Sequence, residues 1–465
     1  MMQLIFVHGW SVTNTDTYGD LPLALSNAAS GAGLNLHIQH IYLGRYISFN
    51  DNVTMDDIAR AMDRALRDLP GNTDTHIAPF SCITHSTGGP VVRTWMDRFY
   101  GAKKLNALPL KHLVMLAPAN HGSTLAVLGK ARVGRLKAWF SGVEPGQRVL
   151  DWLSLGSEGQ WDLNHTWLDY DMTNTAFYPF VLTGQGIDNK FYDFINSYLV
   201  EKGSDGVVRV AGANMNCCWV SLVQSLDDEI RKQPRTLGLK LAKAGGIRHP
   251  QPVPLRVYNQ YSHTGKTMGI MGSIGPLDTG APVVQDILSC FQVDSQQAYA
   301  TQLKRLNDET QKEQKDGDQY CMLVFNVRDD QGEQIAQGDY DLLLLAGSRY
   351  QPDKLPKGFF LDRQMNTNTG RLVYYLDAGK MLDIVKKGQF GFRVVARPTK
   401  GFSYYAAAEF RPSKEEIQKI LMPNRTIYVD IMLHRFVDKN VFRFGPATDK
   451  PINFKGVKPS GETLI

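Results

Sequence analysis

The chain of 465 residues has few cysteines and no long apolar run. An odd number of cysteines without regular spacing, and without a C-x-x-C pair, excludes a disulfide framework. The adjacent pair Cys217 and Cys218 could bridge to each other only with unusual strain. We therefore expect buried thiols, as in a reducing compartment. No apolar run reaches the roughly 18 residues that a membrane-spanning helix requires.

A cleaved leader and a strong charge bias are also missing. The first residues, MMQLIFVHGW, contain no cationic region and no small-residue cleavage site, so we expect no signal peptide. We expect synthesis in the cytoplasm, and any export to use a leaderless secretion route. The 51 Lys+Arg against 46 Asp+Glu give a net charge of +5. That balance argues against nucleic acid as a partner, while clustered positive charges would suit an anionic surface.

The motifs of metal and nucleotide enzymes are absent. The sequence contains no H-E-x-x-H, no paired Cys/His ligand set and no GKS or GKT phosphate loop. These are the patterns that hold catalytic zinc or a bound phosphate. We therefore expect no metal and no cofactor.

The length predicts two domains. Over residues 1–292, short apolar runs alternate with helical patterns, which predicts an α/β domain with a mostly parallel sheet covered on both faces. Insertions at about 125–171 and 216–251 are expected to form a lid or cap. The polar segment 293–318 predicts a helical linker. Strand-like runs divided by turn residues over 319–465 predict an antiparallel β-sandwich.

In parallel sheets, ligands bind at the carboxyl ends of the strands, and one strand end carries a reactive serine. The stretch FSCITHSTGGPVVRTW places Ser86 between an apolar run and a helical pattern. This arrangement is typical of a nucleophile elbow, whose strained turn requires small residues two positions before and after the serine. Gly88 satisfies the second position, while Thr84 occupies the first. The amides of Thr87 and of Trp10, in the loop after the first strand, are expected to form the oxyanion hole.

A serine hydroxyl needs a base, and the base needs a carboxylate that holds its tautomer. For an elbow of this type the chain order is serine, acid, histidine. YSHTG places His263 after a predicted strand, and KGSDGV places Asp205 in a glycine-rich turn before the predicted strand VVRVAG. In isolation each residue is better explained as a surface histidine or a turn aspartate. Together, at strand ends and in this order, they predict a catalytic pair.

Other candidates rank lower. Asp188 is the alternative acid, because enzymes of this kind sometimes take the acid from the earlier strand. His121 precedes the acid in the chain and is expected to shape the wall of the site. His85, beside the serine, is expected to pack within the elbow.

The first 280 or so residues resemble the lipase and esterase branch of the α/β-hydrolase superfamily. The resemblance rests on five motifs in chain order: FVHGW, THSTGG, LAPANHGS, SDGVV and YSHTG. It implies Ser86 as nucleophile, Asp205 as acid and His263 as base, without a cofactor. Thr84, where that branch has a smaller residue, is a departure that bears on the geometry of the elbow.

Two features indicate a lipid substrate at a membrane surface. The segment 125–171 holds four of the seven tryptophans among lysines and arginines. Tryptophan favours the membrane–water boundary, and basic side chains pair with lipid phosphates. The alternative is a helical cap whose aromatic side chains belong to the core. The combination of a lipase-like domain, a second β-domain and no leader also resembles bacterial phospholipase effectors of specialised secretion systems, which implies an immunity or delivery protein as partner.

The sequence therefore predicts a serine lipase or phospholipase that hydrolyses acyl esters through a Ser-His-Asp triad and an acyl-enzyme. One alternative keeps the triad and changes the reaction to that of a soluble esterase, a thioesterase or an acyltransferase. Another is a non-catalytic binding module in which the second domain carries the function.

Overall fold

The computed structural model describes residues 1–8, 16–48, 50–129, 146–187, 201–226, 239–315, 317, 319–336, 338–386, 389–397 and 403–437. The helices are α1 (Leu21–Ala29), α2 (Met55–Arg67), α3 (Gly88–Phe99), α4 (Thr124–Gly129), α5 (Gln147–Leu153), α6 (Glu158–Trp167), α7 (Val210–Ala213), α8 (Pro282–Phe291), α9 (Gln296–Glu313), α10 (Ala378–Lys386) and α11 (Lys414–Ile420). The strands are β1 (Met2–His8), β2 (Leu36–Tyr42), β3 (Phe80–His85), β4 (Leu110–Leu116), β5 (Tyr178–Gly184), β6 (Cys218–Gln224), β7 (Leu239–Lys243), β8 (Leu255–Tyr258), β9 (Tyr320–Asp329), β10 (Tyr340–Ala346), β11 (Phe360–Met365), β12 (Leu372–Asp377), β13 (Phe390–Ala396), β14 (Ser403–Tyr405), β15 (Ala408–Phe410), β16 (Thr426–Leu433) and β17 (Arg435–Val437).

The first sheet has six strands in the order β2-β1-β3-β4-β5-β8, and all its pairs are parallel. Both faces are covered, as the continuous apolar runs predicted. Along β1, Ile5 and Val7 pack with α2 and α3, while Leu4 and Phe6 pack with α1 and α8 on the other face. Each such buried side chain contributes about 1.5–3 kcal/mol. The predicted α/β domain with a parallel sheet is confirmed.

The helix predicted after Thr54 is also present. The Thr54 hydroxyl accepts a hydrogen bond from the Asp57 amide at 3.2 Å, and the Asp57 carboxylate accepts one from the Thr54 amide at 3.0 Å. This reciprocal capping box satisfies amides that the first turn of a helix leaves unpaired. It fixes where α2 begins.

The second sheet has nine strands in the order β10-β13-β15-β7-β6-β16-β9-β12-β11. It is mixed, because β16 runs parallel to both β6 and β9, and β15 runs parallel to β7, whereas we expected only antiparallel pairs. Strands β6 and β7 come from the segment 216–251, which we expected to be part of a cap. The two strands pair antiparallel with each other. Each also pairs with a strand from a distant part of the chain, β16 or β15, and no hairpin turn dictates the direction of those pairs.

The second sheet curves over itself, as a sandwich requires. Phe325 on β9 contacts Phe392 on β13, with ring centroids 5.3 Å apart, although four strands lie between them in the sheet. The Tyr374 hydroxyl on β12 donates a hydrogen bond to the Leu342 carbonyl on β10 at 2.5 Å. The two ends of the sheet thus enclose one apolar core.

Aromatic side chains pack between helix α6 and the second sheet. Trp161 on α6, Trp219 on β6 and Tyr428 on β16 form a cluster with ring centroids 4.4–5.3 Å apart. Trp161 and Trp167 are buried, so these two tryptophans belong to the core, and our expectation that they face lipid is wrong. Trp139 and the basic residues of 130–137 lie outside the described residues.

The five cysteines are all buried and unbridged, as expected; they are Cys82, Cys217, Cys218, Cys290 and Cys321. Within the described ranges, no helix has the length and apolar character needed to cross a membrane.

Candidate active site

Ser86 lies in a sharp turn between β3 and α3. Its φ of 53° is a left-handed conformation that a non-glycine residue adopts only under strain of about 1–3 kcal/mol. The surroundings hold the turn: the Ser86 amide donates to the Leu116 carbonyl at 3.0 Å, and the Ser86 carbonyl accepts from the Ala119 amide at 3.2 Å. The elbow predicted from the sequence therefore has the expected backbone geometry.

The glycines after Ser86 explain how the elbow accommodates a threonine. A β-carbon at Gly88 would lie 3.1 Å from Cβ of Thr84, and one at Gly89 would lie 2.8 Å from Cβ of Pro118. Thr84 is fully buried. It occupies the space that the missing side chain of Gly88 leaves open, so the departure at this position does not disturb the turn.

His263 and Asp205 meet the serine side chain. His263 Nε2 lies 3.0 Å from Ser86 Oγ, and His263 Nδ1 lies 2.8 Å from Asp205 Oδ2. An ionised carboxylate only accepts hydrogen bonds, so Nδ1 carries the proton and Nε2 is free to accept one from the serine. His263 and Asp205 are fully buried. The arrangement can remove a proton from a hydroxyl and hold the resulting imidazolium against a negative charge.

Asp205 is held by its own loop. Its Oδ1 accepts hydrogen bonds from the amides of Val207 at 3.0 Å and Val208 at 2.8 Å, while its carbonyl accepts from the His263 amide at 3.0 Å. We expected VVRVAG to be a strand, but it forms this loop and the short helix α7. The amides of Val207 and Val208, which in a strand would pair with a neighbouring strand, donate to the Asp205 carboxylate instead. Asp188, the alternative acid, lies outside the described residues.

Of the two predicted oxyanion donors, the described residues include Thr87 but not Trp10. Thr87 follows Ser86 directly and is the N-cap of α3, where the helix dipole and unpaired amides favour negative charge. Trp10 lies outside the described residues.

The neighbouring histidines have structural partners. His85 Nε2 donates to the His263 carbonyl at 3.1 Å, and burial together with the nearby His263 lowers the pKa of His85. His121 donates from Nε2 to the Asn214 carbonyl at 2.7 Å, and burial lowers its pKa to about 3. Both rings are therefore neutral near pH 7. His85 therefore fixes the backbone of His263, while His121 fixes the backbone at the end of α7.

Two buried arginines were not identified from the sequence. Arg93 on α3 donates to Asn120 Oδ1 at 3.1 Å and to Asn164 Oδ1 at 2.9 Å, which ties the elbow helix to the turn after β4. Arg209 directly follows the loop of Asp205 and pairs with Glu201 and Asp362. Arginine is exposed in most proteins, so a lone arginine in a sequence carries no signal of burial.

The chain resembles two solved structures over its whole length. The chain is similar to the structure of phospholipase PlaB from Legionella pneumophila, with 44% identity and a TM-score of 0.86. It is also similar to the structure of that protein in complex with thio-NAD, with 42% identity and a TM-score of 0.84. Each match covers 100% of both chains. No protein-family model and no curated protein matches the sequence.

Proposed function

The chain belongs to the same family as the phospholipase PlaB of Legionella pneumophila, and on this premise we propose that it is a serine phospholipase that hydrolyses acyl esters of membrane lipids. The observation that supports this most is the hydrogen-bonded series Ser86–His263–Asp205, with distances of 3.0 and 2.8 Å. The strained backbone at the serine is a second support. A φ of 53° costs free energy, and strained backbone of this kind is concentrated at functional sites.

In the first half of the reaction, His263 Nε2 takes the proton of Ser86 as Oγ attacks the ester carbonyl. The Asp205 carboxylate stabilises the imidazolium that forms and keeps Nδ1 protonated. The negative charge on the carbonyl oxygen is stabilised by the Thr87 amide and, in this proposal, by that of Trp10. Each such donor is worth about 3 kcal/mol in the transition state.

In the second half, the imidazolium protonates the leaving alcohol or lysolipid, and an acyl group stays on Ser86. Water, deprotonated by His263, attacks the acyl-enzyme and releases the fatty acid. Every proton transfer takes place at Nε2, so Nδ1 keeps its proton and its hydrogen bond to Asp205 throughout the cycle. No cofactor takes part in this scheme.

The test is fatty-acid release from mixed phospholipid vesicles by the wild type and by Ser86→Ala. We expect the variant to lose activity by a factor on the order of 10⁶, because no other group replaces the nucleophile. Ser26→Ala, which changes an exposed serine on α1, is the matched control and should release fatty acid like the wild type.

The alternatives make different predictions in the same assay. Equal release by wild type and Ser86→Ala would contradict the nucleophile assignment. Release from small soluble esters or thioesters but not from vesicles would point to a soluble substrate. If neither protein turned over any ester, a binding module would be the better explanation.

We also propose, from the resemblance to bacterial phospholipase effectors, that the protein is exported by a specialised secretion system and meets an immunity or delivery protein. Mass spectrometry of the culture medium tests the export. Recovery of the protein from the medium of intact cells supports it, and a protein found only inside cells contradicts it.

A further inference from the structure

The second sheet contacts the loop that carries Asp205. We call residues 204–209 the acid loop. Its two ends are joined by a bridge between Ser204 and Arg209, and the Val210 amide donates to the Gly203 carbonyl at 2.9 Å just outside them. The acid loop is therefore a closed turn, and its position depends on what holds these ends.

Arg209, at the second end of the acid loop, is held in place by ion pairs with two carboxylates. Its side chain is only 2% exposed and donates to Glu201 at 2.6 and 2.8 Å and to Asp362 on β11 at 2.5 Å. The guanidinium also lies over the Tyr375 ring, 4.1 Å from its centroid. A buried cation without partners is strongly unfavourable, so these contacts leave Arg209 little freedom to move.

Tyr375 and Tyr320 pack against the other end of the acid loop, at Gly203. The Tyr375 hydroxyl donates to the Lys202 carbonyl at 2.9 Å. Gly203 has a φ of 72°, and a β-carbon there would lie 2.1 Å from the Tyr320 ring and 2.6 Å from the Tyr375 hydroxyl. The chain at the base of the acid loop is thus packed directly on side chains of β9 and β12.

The carboxylate of Asp205 moves with this loop. One of its oxygens is bound by the amides of Val207 and Val208, which belong to the acid loop. The other faces His263. A displacement of the loop ends is therefore transmitted to the contact between Asp205 and Nδ1 of His263.

We propose that Arg209 and Asp362 are positioning residues, through which the second sheet sets the place of the catalytic acid. The inference rests on the proposed function of Asp205. It gives the second domain a part in catalysis although neither residue touches Ser86 or His263. Asp362 is the residue to change, because its side chain is 31% exposed and Arg209 keeps Glu201 as a partner.

The experiment uses the full chain with Asp362→Asn and a fluorophosphonate probe. Ser86 Oγ forms a bond to phosphorus, fluoride leaves, and His263 accepts the serine proton, so the probe reports the triad without a lipid. We expect the rate constant of labelling to fall by about tenfold to 100-fold, since a misplacement of about 1 Å costs that much. Binding of the probe and the thermal midpoint should stay close to those of the wild type.

Rescue by the conservative variant separates positioning from a merely structural effect. Asp362→Glu keeps a carboxylate for Arg209 and should restore most of the labelling rate. Loss of folded protein alone would lower the fraction of the chain that the probe labels and leave the rate constant of that fraction unchanged.

Asp430→Asn is the matched control. It removes the charge of another carboxylate of the same sheet, which pairs with Arg328 at 3.1 Å, and it should label like the wild type. A rate constant of Asp362→Asn equal to that of Asp430→Asn would overturn the inference. A wild type that labels but does not hydrolyse phospholipid would contradict only the substrate, and one that does not label would contradict the nucleophile and this inference together.

Discussion

The imidazole of His263 connects the serine and the acid, and its tautomer decides whether the site can work. With Nδ1 bonded to Asp205 at 2.8 Å, Nε2 faces Ser86 Oγ at 3.0 Å. If the proton moved to Nε2, the ring would donate to the serine instead of accepting its proton. In the proposed mechanism, the Asp205 carboxylate therefore acts by orientation as well as by charge.

Asp205→Asn tests this role. We expect turnover to fall by a factor on the order of 10⁴ with the fold retained, because an amide at this place favours the wrong tautomer. Initial rates on phospholipid vesicles measure the loss, and circular dichroism checks the fold. Asp188→Asn is the comparison: unimpaired Asp205→Asn with an inactive Asp188→Asn would move the acid to Asp188.

The elbow is a property of the β3–α3 unit. At the start of α3, a β-carbon at Gly88 would lie 3.1 Å from Cβ of Thr84 on β3, and one at Gly89 would lie 2.8 Å from Cβ of Pro118 in the turn after β4. The absence of these side chains lets α3 begin two residues after Ser86.

Gly89→Ala is expected to displace the elbow. The new methyl group would contact Pro118 within van der Waals distance, and overpacking of this kind costs about 1–3 kcal/mol. Urea unfolding measures the loss of stability, and the fluorophosphonate rate measures the displacement of Ser86. Gly246→Ala is the control, since no heavy atom lies within 4 Å of a β-carbon at that position, and equal behaviour of the two variants would refute the steric argument.

For the molecule as a whole, a buried polar contact links the first sheet to the second. His121, in the turn after β4, donates from Nε2 to Asn214, so its Nδ1 accepts from the Tyr428 hydroxyl at 2.7 Å. The same hydroxyl accepts from Asn164 at 3.0 Å. All three side chains of this network are buried, so water does not replace a lost partner.

Tyr428→Phe should lower the free energy of unfolding of the whole protein. It removes one hydroxyl and leaves Nδ1 of His121 without a partner, which costs about 1–3 kcal/mol for a buried polar group. The Asn164 amide keeps the carbonyls of Asn120 and Gln160 as acceptors. The free energy of unfolding in urea, followed by tryptophan fluorescence, gives the measurement. Tyr404→Phe, at a side chain that is 52% exposed, should change it by less than about 0.5 kcal/mol. A loss no larger in Tyr428→Phe than in Tyr404→Phe would mean that the contact does not couple the two parts.

Some elements could be read from local pattern, since their cause is local. The apolar run of β1 predicted a buried parallel strand, and Thr54 predicted the start of α2. The sequence also identified the three predicted catalytic residues. Ser86 and His263 each follow a predicted strand, and Asp205 lies in a glycine-rich turn. Parallel strands bring the loops at their carboxyl ends to one edge of the sheet. Conversely, VVRVAG has the composition of a strand, yet Asp205 binds its amides and makes it a loop.

Local sequence thus determined the parallel sheet, the turn at Ser86 and the order of the predicted catalytic residues, because apolar periodicity and glycine placement act within a few residues. The tertiary structure alone decided that β6 and β7 join the second sheet, that Trp161 is core, and that Arg209 is buried against Asp362. The physical reason is that these outcomes depend on pairing and burial between segments far apart in the chain. A side chain's sequence neighbours do not specify which distant carboxylate or ring it will meet.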